Sequence, residues 1–154
     1  MISYRIIPMT EAVLPEVITI DKELFPHDFW SQESFLSSIK MHQTYCVLIE
    51  SAGKKVIAGY IVFSSAIDEG ELLHLGVAKQ FQKRGLARAL LAFMEDFGTS
   101  NKITKWFLEV RHSNNPAISL YKKLGFKTVG IRKNYYKNLS GKEDALVMVK
   151  EKAC

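Results

Sequence analysis

The residues best placed to do chemistry cluster near the middle of the chain. Gln82-Lys83-Arg84-Gly85-Leu86-Ala87 follows an apolar segment at 72–78 and leads into a helical pattern at 88–97. A helix start presents unpaired backbone N–H groups and about half a positive charge, so a phosphate can sit there without a dedicated side chain. Gly85 and Ala87 keep the backbone accessible, and Lys83, Arg84 and Arg88 add charge. Gly85 also permits a conformation or approach that a Cβ would hinder. The stretch lacks the Gly-Lys-Ser/Thr of a Walker loop and the three glycines of a dinucleotide turn, which argues against a nucleoside triphosphatase. Taken alone, a basic helix start with one glycine is more often an ordinary solvated turn.

Two further residues invite a chemical role. Glu109 closes an apolar segment at 105–110, and Tyr121 lies twelve residues on in a short helical stretch. By themselves they also fit a polar strand end and a core aromatic. Cys46 and Cys154 have neither the histidine nor the third partner of an activated nucleophile, and no disulfide framework or metal site is expected from them.

The elements that must hold these residues can be read from periodicity. Residues 3–7 alternate as a first strand, and Thr10 can cap a helix to about Phe25 with Val13, Leu14, Val17, Ile18 and Leu24 on one face. Residues 25–30 break it. Ser31, with Glu33 in the first turn, caps a second helix ending near Met41. Residues 45–50 and 55–64 form an antiparallel hairpin about Ser51-Ala52-Gly53-Lys54. A strand at 71–78, a helix at 88–97 stopped by 98–101, and a strand at 105–110 make a crossover unit with parallel strands. Asn115 caps a short helix with Pro116 in its first turn and Gly125 as its stop. Residues 126–132 and 145–150 close the fold as a strand pair, separated by a polar segment at 133–144. The order is mixed α/β.

At 154 residues, 47% hydrophobic and 24% charged, the chain fits a single domain over 1–154. Its apolar runs fall short of the roughly 20 residues that span a bilayer. No basic stretch with an apolar core and cleavage site opens it, so a cytoplasmic address is the expectation. Residues 1–70 carry a net −4 and residues 71–154 a net +9. Such a basic half could serve nucleic acid, a polyphosphate-bearing cofactor or the ribosome surface, or only solubility.

Leu73-His74-Leu75-Gly76-Val77-Ala78 followed by Gln82 to Ala87 resembles the Arg/Gln-x-x-Gly-x-Gly/Ala signature of the GNAT N-acetyltransferases. Downstream, Trp106-Phe107-Leu108-Glu109-Val110-Arg111, Ser113-Asn114, Leu120-Tyr121, Leu124-Gly125-Phe126, Arg132-Lys133-Asn134-Tyr135-Tyr136 and Gly141-Lys142-Glu143-Asp144-Ala145 are similar to the RimI-type acetyltransferases of ribosomal-protein N-terminal alanine. The likeness is dense over 71–149. It implies a mixed, mostly antiparallel sheet of about seven strands, splayed in the middle, with about four helices. Acetyl-coenzyme A is the implied cosubstrate, with no metal. It implies pantetheine contact at Leu75 and Val77, pyrophosphate contact at Gln82, Lys83, Arg84, Gly85, Leu86 and Ala87, and a cofactor contact at Asn114.

The implied chemistry is direct attack of an amine on the acetyl carbonyl. An α-amine titrates near about 8 and a lysine amine near about 10.4, so either must first lose a proton. The resemblance places the base at Glu109 and the proton donor to the departing thiolate at Tyr121. Glu71 is the alternative base; alternation puts it on one strand face with Leu73, Leu75 and Val77. His74, where RimI-type sequences carry Asn, is expected to be a satisfied side chain. Phe25, Trp30, Tyr135 and Tyr136 are the candidates for the acceptor groove, the tyrosines on the penultimate loop. The implied acceptor is a protein or peptide N-terminus, with that of a small-subunit ribosomal protein as the specific expectation; a small-molecule amine is the other acceptor class. A nucleic-acid-binding module is the alternative of another kind, and no direct nucleic-acid contact is expected.

Overall fold

The chain opens with β1 (Tyr4–Pro8), whose short alternation pairs antiparallel with β2 (Gln43–Ser51). The computed structural model describes residues 3–139 and 141–152; Cys154 lies outside them. Between β1 and β2 run α1 (Leu14–Leu24) and α2 (Gln32–Met41). Thr10 does not cap α1. It precedes a single 3-10 turn, Glu11–Val13, and makes no side-chain cap bond. Pro15, which has no N–H to give an α ladder, stands in the first turn of α1 instead. Ser31 does cap α2, its Oγ accepting the Ser34 N–H at 3.1 Å.

The turn into β3 (Lys54–Ala66) is made by Ala52 and Gly53, with φ of 51° and 78°. Two successive left-handed residues match the twist of the strands they join. β4 (Glu69–Val77) follows, then α3 (Leu86–Ser100), β5 (Lys105–Arg111), α4 (Asn115–Lys123), β6 (Lys127–Asn138) and β7 (Gly141–Glu151). Among the described residues the sheet has seven strands in the order β1-β2-β3-β4-β5-β7-β6. Its parallel step is short: β4 meets β5 only through Glu69, Gly70 and Glu71 against Lys105, Trp106 and Phe107. The mixed, mainly antiparallel sheet with four α-helices is the architecture that the resemblance implied.

Contacts divide the chain into two compact units. One holds residues up to Ser64 with His74–Asp96, the other Ser65–Leu73 with residues from Phe97 onward. In the first, Leu14, Val17, Phe35, Cys46, Ile57 and Tyr60 form a buried cluster, with Ile18, Trp30, Leu36 and Ile39 packed against it. In the second, Trp106, Leu108 and Val110 alternate as the buried face of β5, leaving Phe107, Glu109 and Arg111 on the other.

Three expectations change here. α3 runs through Gly98 rather than stopping at it; a Cβ there would stand 3.0 Å from the Trp106 ring, so the glycine serves packing. The stop is a Schellman turn: Lys102 is left-handed at φ 59°, Ile103 N–H bonds the Gly98 carbonyl at 2.8 Å, and Lys102 N–H bonds that of Thr99 at 3.4 Å. The cap of α4 is Asn114, not Asn115, its side chain accepting the Ala117 N–H at 3.3 Å. The polar segment at 133–144 is largely strand, so Tyr135 and Tyr136 stand on β6 rather than on a loop. An exposed lysine held left-handed is strained. Replacing Lys102 with Gly is therefore expected to stabilise the protein by roughly 0.5–1 kcal/mol in urea titration, after the added freedom of the unfolded chain is deducted.

Candidate functional site

In the first unit the site is a turn leading into a helix. β4 ends at Val77, which is buried, and Leu75 before it is half-buried. The Gln82 side-chain amide donates to the Val77 carbonyl at 2.9 Å, tying the turn back to the strand that precedes it. Gln82 thus acts first as the fastener of the turn. Lys83 and Gly85 follow with φ of 63° and 82°. Nothing lies within 4 Å of where a Gly85 Cβ would be, so the glycine answers to backbone conformation and leaves the surface open.

Leu86 begins α3 and is itself buried, which fixes the helix start in place. The Ala89 N–H bonds the Gly85 carbonyl at 3.0 Å, closing the first helical ring. The N–H groups of Leu86, Ala87 and Arg88 therefore have no acceptor within the helix. Lys83, Arg84 and Arg88 are exposed around them, and the Arg84 guanidinium lies 5.9 Å from the Phe81 ring centre. Amides, dipole and cations together make a cradle whose donor chemistry fits a diphosphate.

The same unit brings Phe25 and Trp30 together through His74. The His74 ring stacks on Trp30 at 4.5 Å and 6°, with Phe25 tilted against it at 5.3 Å. Its Nε2 lies 2.6 Å from Oδ1 of Asp21, a fully buried carboxylate that the sequence reading passed over. The signal was there: Asp21 stands four residues after Val17, on the apolar stripe of α1 where a polar side chain needs partners.

In the second unit Glu109 and Glu71 share a sheet face. Glu71 is registered opposite Phe107, and Glu109 is two residues further along β5. Glu109 Oε1 receives the Arg132 guanidinium at 2.8 Å, and this bond is the main cause that raises the Arg132 pKa. Arg132 in turn lies 4.0 Å from the Tyr135 ring centre, and Tyr135 meets Tyr136 edge-on at 4.9 Å. Arg111 packs over Tyr136 at 4.6 Å and bonds Glu143 at 2.8 Å. Glu143 also accepts the Ser113 N–H at 2.6 Å. A continuous belt thus runs from Glu109 to the turn that introduces α4.

Tyr121 on α4 is buried against Phe126, with ring centres 5.8 Å apart. Burial, and then the Tyr136 phenol, push its pKa above the ordinary tyrosine value, so its hydroxyl stays protonated. Asn114 spends its side-chain oxygen on the α4 cap, which gives it a local role beside the cofactor contact expected of it. Cys46 is fully buried, and burial followed by the Glu16 charge lifts its thiol to about 11, which leaves no thiolate for nucleophilic catalysis near neutral pH. Among the described residues there is no cluster of His, Cys, Asp and Glu suited to hold a metal ion, and no helix long and apolar enough to cross a membrane.

A sequence model of the acetyltransferase (GNAT) family matches residues 14–126. The [ribosomal protein bS18]-alanine N-acetyltransferase of Salmonella typhimurium is 38% identical over 120 residues, covering 77% of this chain and 78% of that protein. An N-alpha-acetyltransferase of Sulfurisphaera tokodaii is 30% identical over 158 residues, covering 94% and 91%. The crystal structure of the ribosomal-protein-S18-alanine N-acetyltransferase from Escherichia coli superposes with a TM-score of 0.84 at 29% identity, covering 99% of this chain and 96% of that one.

The belt carries its own acid signature. The Ser113 hydroxyl and N–H with the Arg111 guanidinium hold the Glu143 carboxyl at about 2, below its ordinary 4.5, so its stabilising effect is complete above pH 4.5 and is lost as pH falls toward 2. Glu143→Gln is expected to lower stability at pH 7 and to remove that part of the acid loss between pH 4.5 and 2, as read by urea midpoints across pH.

Proposed function

The chain belongs to the acetyltransferase (GNAT) family, and from that premise we propose that it moves the acetyl group of acetyl-coenzyme A to a protein N-terminal α-amine, with an N-terminal alanine of a small-subunit ribosomal protein as acceptor. The observation that carries this reading is the match, over 77% of the chain, to an enzyme named for that acceptor. Such an acceptor places the reaction in the cytoplasm.

Acetyl-coenzyme A supplies an activated acyl group and a good leaving group. The chain's own residues supply the rest. The amides of Leu86, Ala87 and Arg88, with Lys83 and Arg84 beside them, would take the diphosphate, and Leu75 and Val77 the pantetheine arm. Glu109 would accept the proton of the α-ammonium, directly or through water, with Arg132 holding the carboxylate in one orientation. Tyr121, kept protonated by burial, would give its proton to the departing thiolate. Tyr135 and Tyr136, linked to Glu109 through Arg132, would line the path for the first residues of a peptide. A lysine amine is about 3 kcal/mol harder to deprotonate than an α-amine, a modest bias toward N-termini.

The test is an acceptor panel: peptides beginning with alanine, polyamines and aminoglycosides, with thiol release as the readout. Alanine-initiated peptides are expected to be preferred; preference for the small amines would overturn the acceptor. Glu109→Gln should cut kcat by at least about a hundredfold and leave acetyl-coenzyme A affinity within about twofold. Normal kinetics in that variant together with an inactive Glu71→Gln would move the base to β4.

A further inference from the structure

Asp21 is a carboxylate with no exposure, on the inner stripe of α1. A buried carboxylate persists only where donors surround it, and here they come from three separate elements. Oδ1 accepts the Tyr60 hydroxyl of β3 at 2.5 Å and pairs with His74 Nε2 of β4 at 2.6 Å. Oδ2 accepts the backbone N–H of Trp30, nine residues on, at 2.7 Å. The burial of Tyr60, and next the charge of Asp21, drive the phenol far above its ordinary range, so the hydroxyl remains a donor.

These bonds fix a segment that has little structure of its own. After α1 ends, residues 25–31 make one turn, closed by the Asp28 N–H on the Phe25 carbonyl at 3.0 Å, before Ser31 caps α2. Phe29 is 43% exposed. The segment's two other aromatic faces are set from outside it: the flat His74 ring lies against Trp30, and Phe25 leans on the same ring. One carboxylate therefore holds the backbone at Trp30, and one imidazole touches both rings, with Phe35 a further neighbour of Trp30 at 5.4 Å.

We propose that Asp21, Tyr60 and His74 are positioning residues that clip the segment between α1 and α2 and so set the enzyme's preference for peptide acceptors over small amines. The assignment of Phe25 and Trp30 to acceptor contact rests on the acetyl-transfer reading. The clip itself rests on the geometry alone. A peptide extends beyond its reacting amine and would touch these rings, whereas an amine of only a few carbon atoms has nothing to extend toward them. Loosening the clip then weakens peptide binding and leaves the acetyl donor and the chemical step unaffected.

The experiment compares wild type with His74→Ala. Hydrogen exchange by mass spectrometry over residues 25–31 is expected to speed up about tenfold, with α3 unchanged, and the peptide KM to rise about tenfold. The kcat, the acetyl-coenzyme A affinity and the KM for a small amine should stay within about twofold. Unchanged exchange in the folded variant overturns the clip, and faster exchange with an unchanged peptide KM overturns its role in acceptor choice. Should His74→Ala fail to fold, Tyr60→Phe keeps the ring, removes one donor to Asp21 and is judged by the same two outcomes. A wild-type protein that acetylates no peptide overturns the acceptor assignment, and exchange alone then decides whether the clip exists.

Discussion

A helix that begins at the end of a strand leaves its first N–H groups with nothing of their own to bind, and the chemistry of this protein follows from where that start is put. Gln82 ties the turn to Val77, Lys83 and Gly85 take the left-handed conformations that reverse the chain, and the buried Leu86 pins the first turn of α3. None of these side chains needs to touch a ligand. Their shared effect is to hold a set of amides in one place, with a fixed dipole behind them and exposed cations around them. On the proposed reading a diphosphate would neutralise such a site at little reorganisation cost, so a thioester carried on a diphosphate arm would suit this turn better than a free acyl group.

Charge is organised differently in the two units. In the first, a single buried carboxylate gathers donors from β3, β4 and the chain after α1, so that a polar group on an apolar stripe becomes a constraint on the backbone. In the second, an ion pair closes each end of the belt, Glu109–Arg132 and Arg111–Glu143, with Tyr135 and Tyr136 between the two arginines. Arg111 and Arg132 both register against Ala145, whose small side chain lets two guanidinium groups share one face without crowding. Each is neutralised by its own carboxylate and also lies over a tyrosine ring. Tyr121 lies in this unit with its hydroxyl kept protonated near neutral pH by burial, the state that its proposed role as proton donor requires.

The elements legible in the sequence were those with local causes. Ala52-Gly53 and Ser31 carry their turn and their cap in their own backbone preferences, and the Leu90, Leu91 and Met94 spacing marks α3 without help from elsewhere. The turn into α3 was legible for the same reason, with Gly85 left-handed at φ 82°. Other features were hidden where the cause is distant. The β6–β7 ribbon has exposed, polar residues such as Lys133, Lys137 and Lys142 and lacks alternation; backbone pairing and the Arg111–Glu143 bond hold it as strand. Gly98 reads as a helix stop until Trp106 is seen against it, and Lys102 ends α3 in a conformation that the sequence would sooner give to glycine. Asp21 is visible as a misplaced polar residue, yet its partners lie 9, 39 and 53 residues away.

The account stands on the turn at Gly85 gripping a diphosphate. Isothermal titration of the folded protein with acetyl-coenzyme A, free coenzyme A and a pantetheine lacking the nucleotide measures this directly. Both coenzyme A species should bind with micromolar affinity, and removal of the nucleotide and its phosphates should weaken binding by about a hundredfold or more. Absence of binding by either coenzyme A species, or equal affinity for the truncated arm, would contradict it.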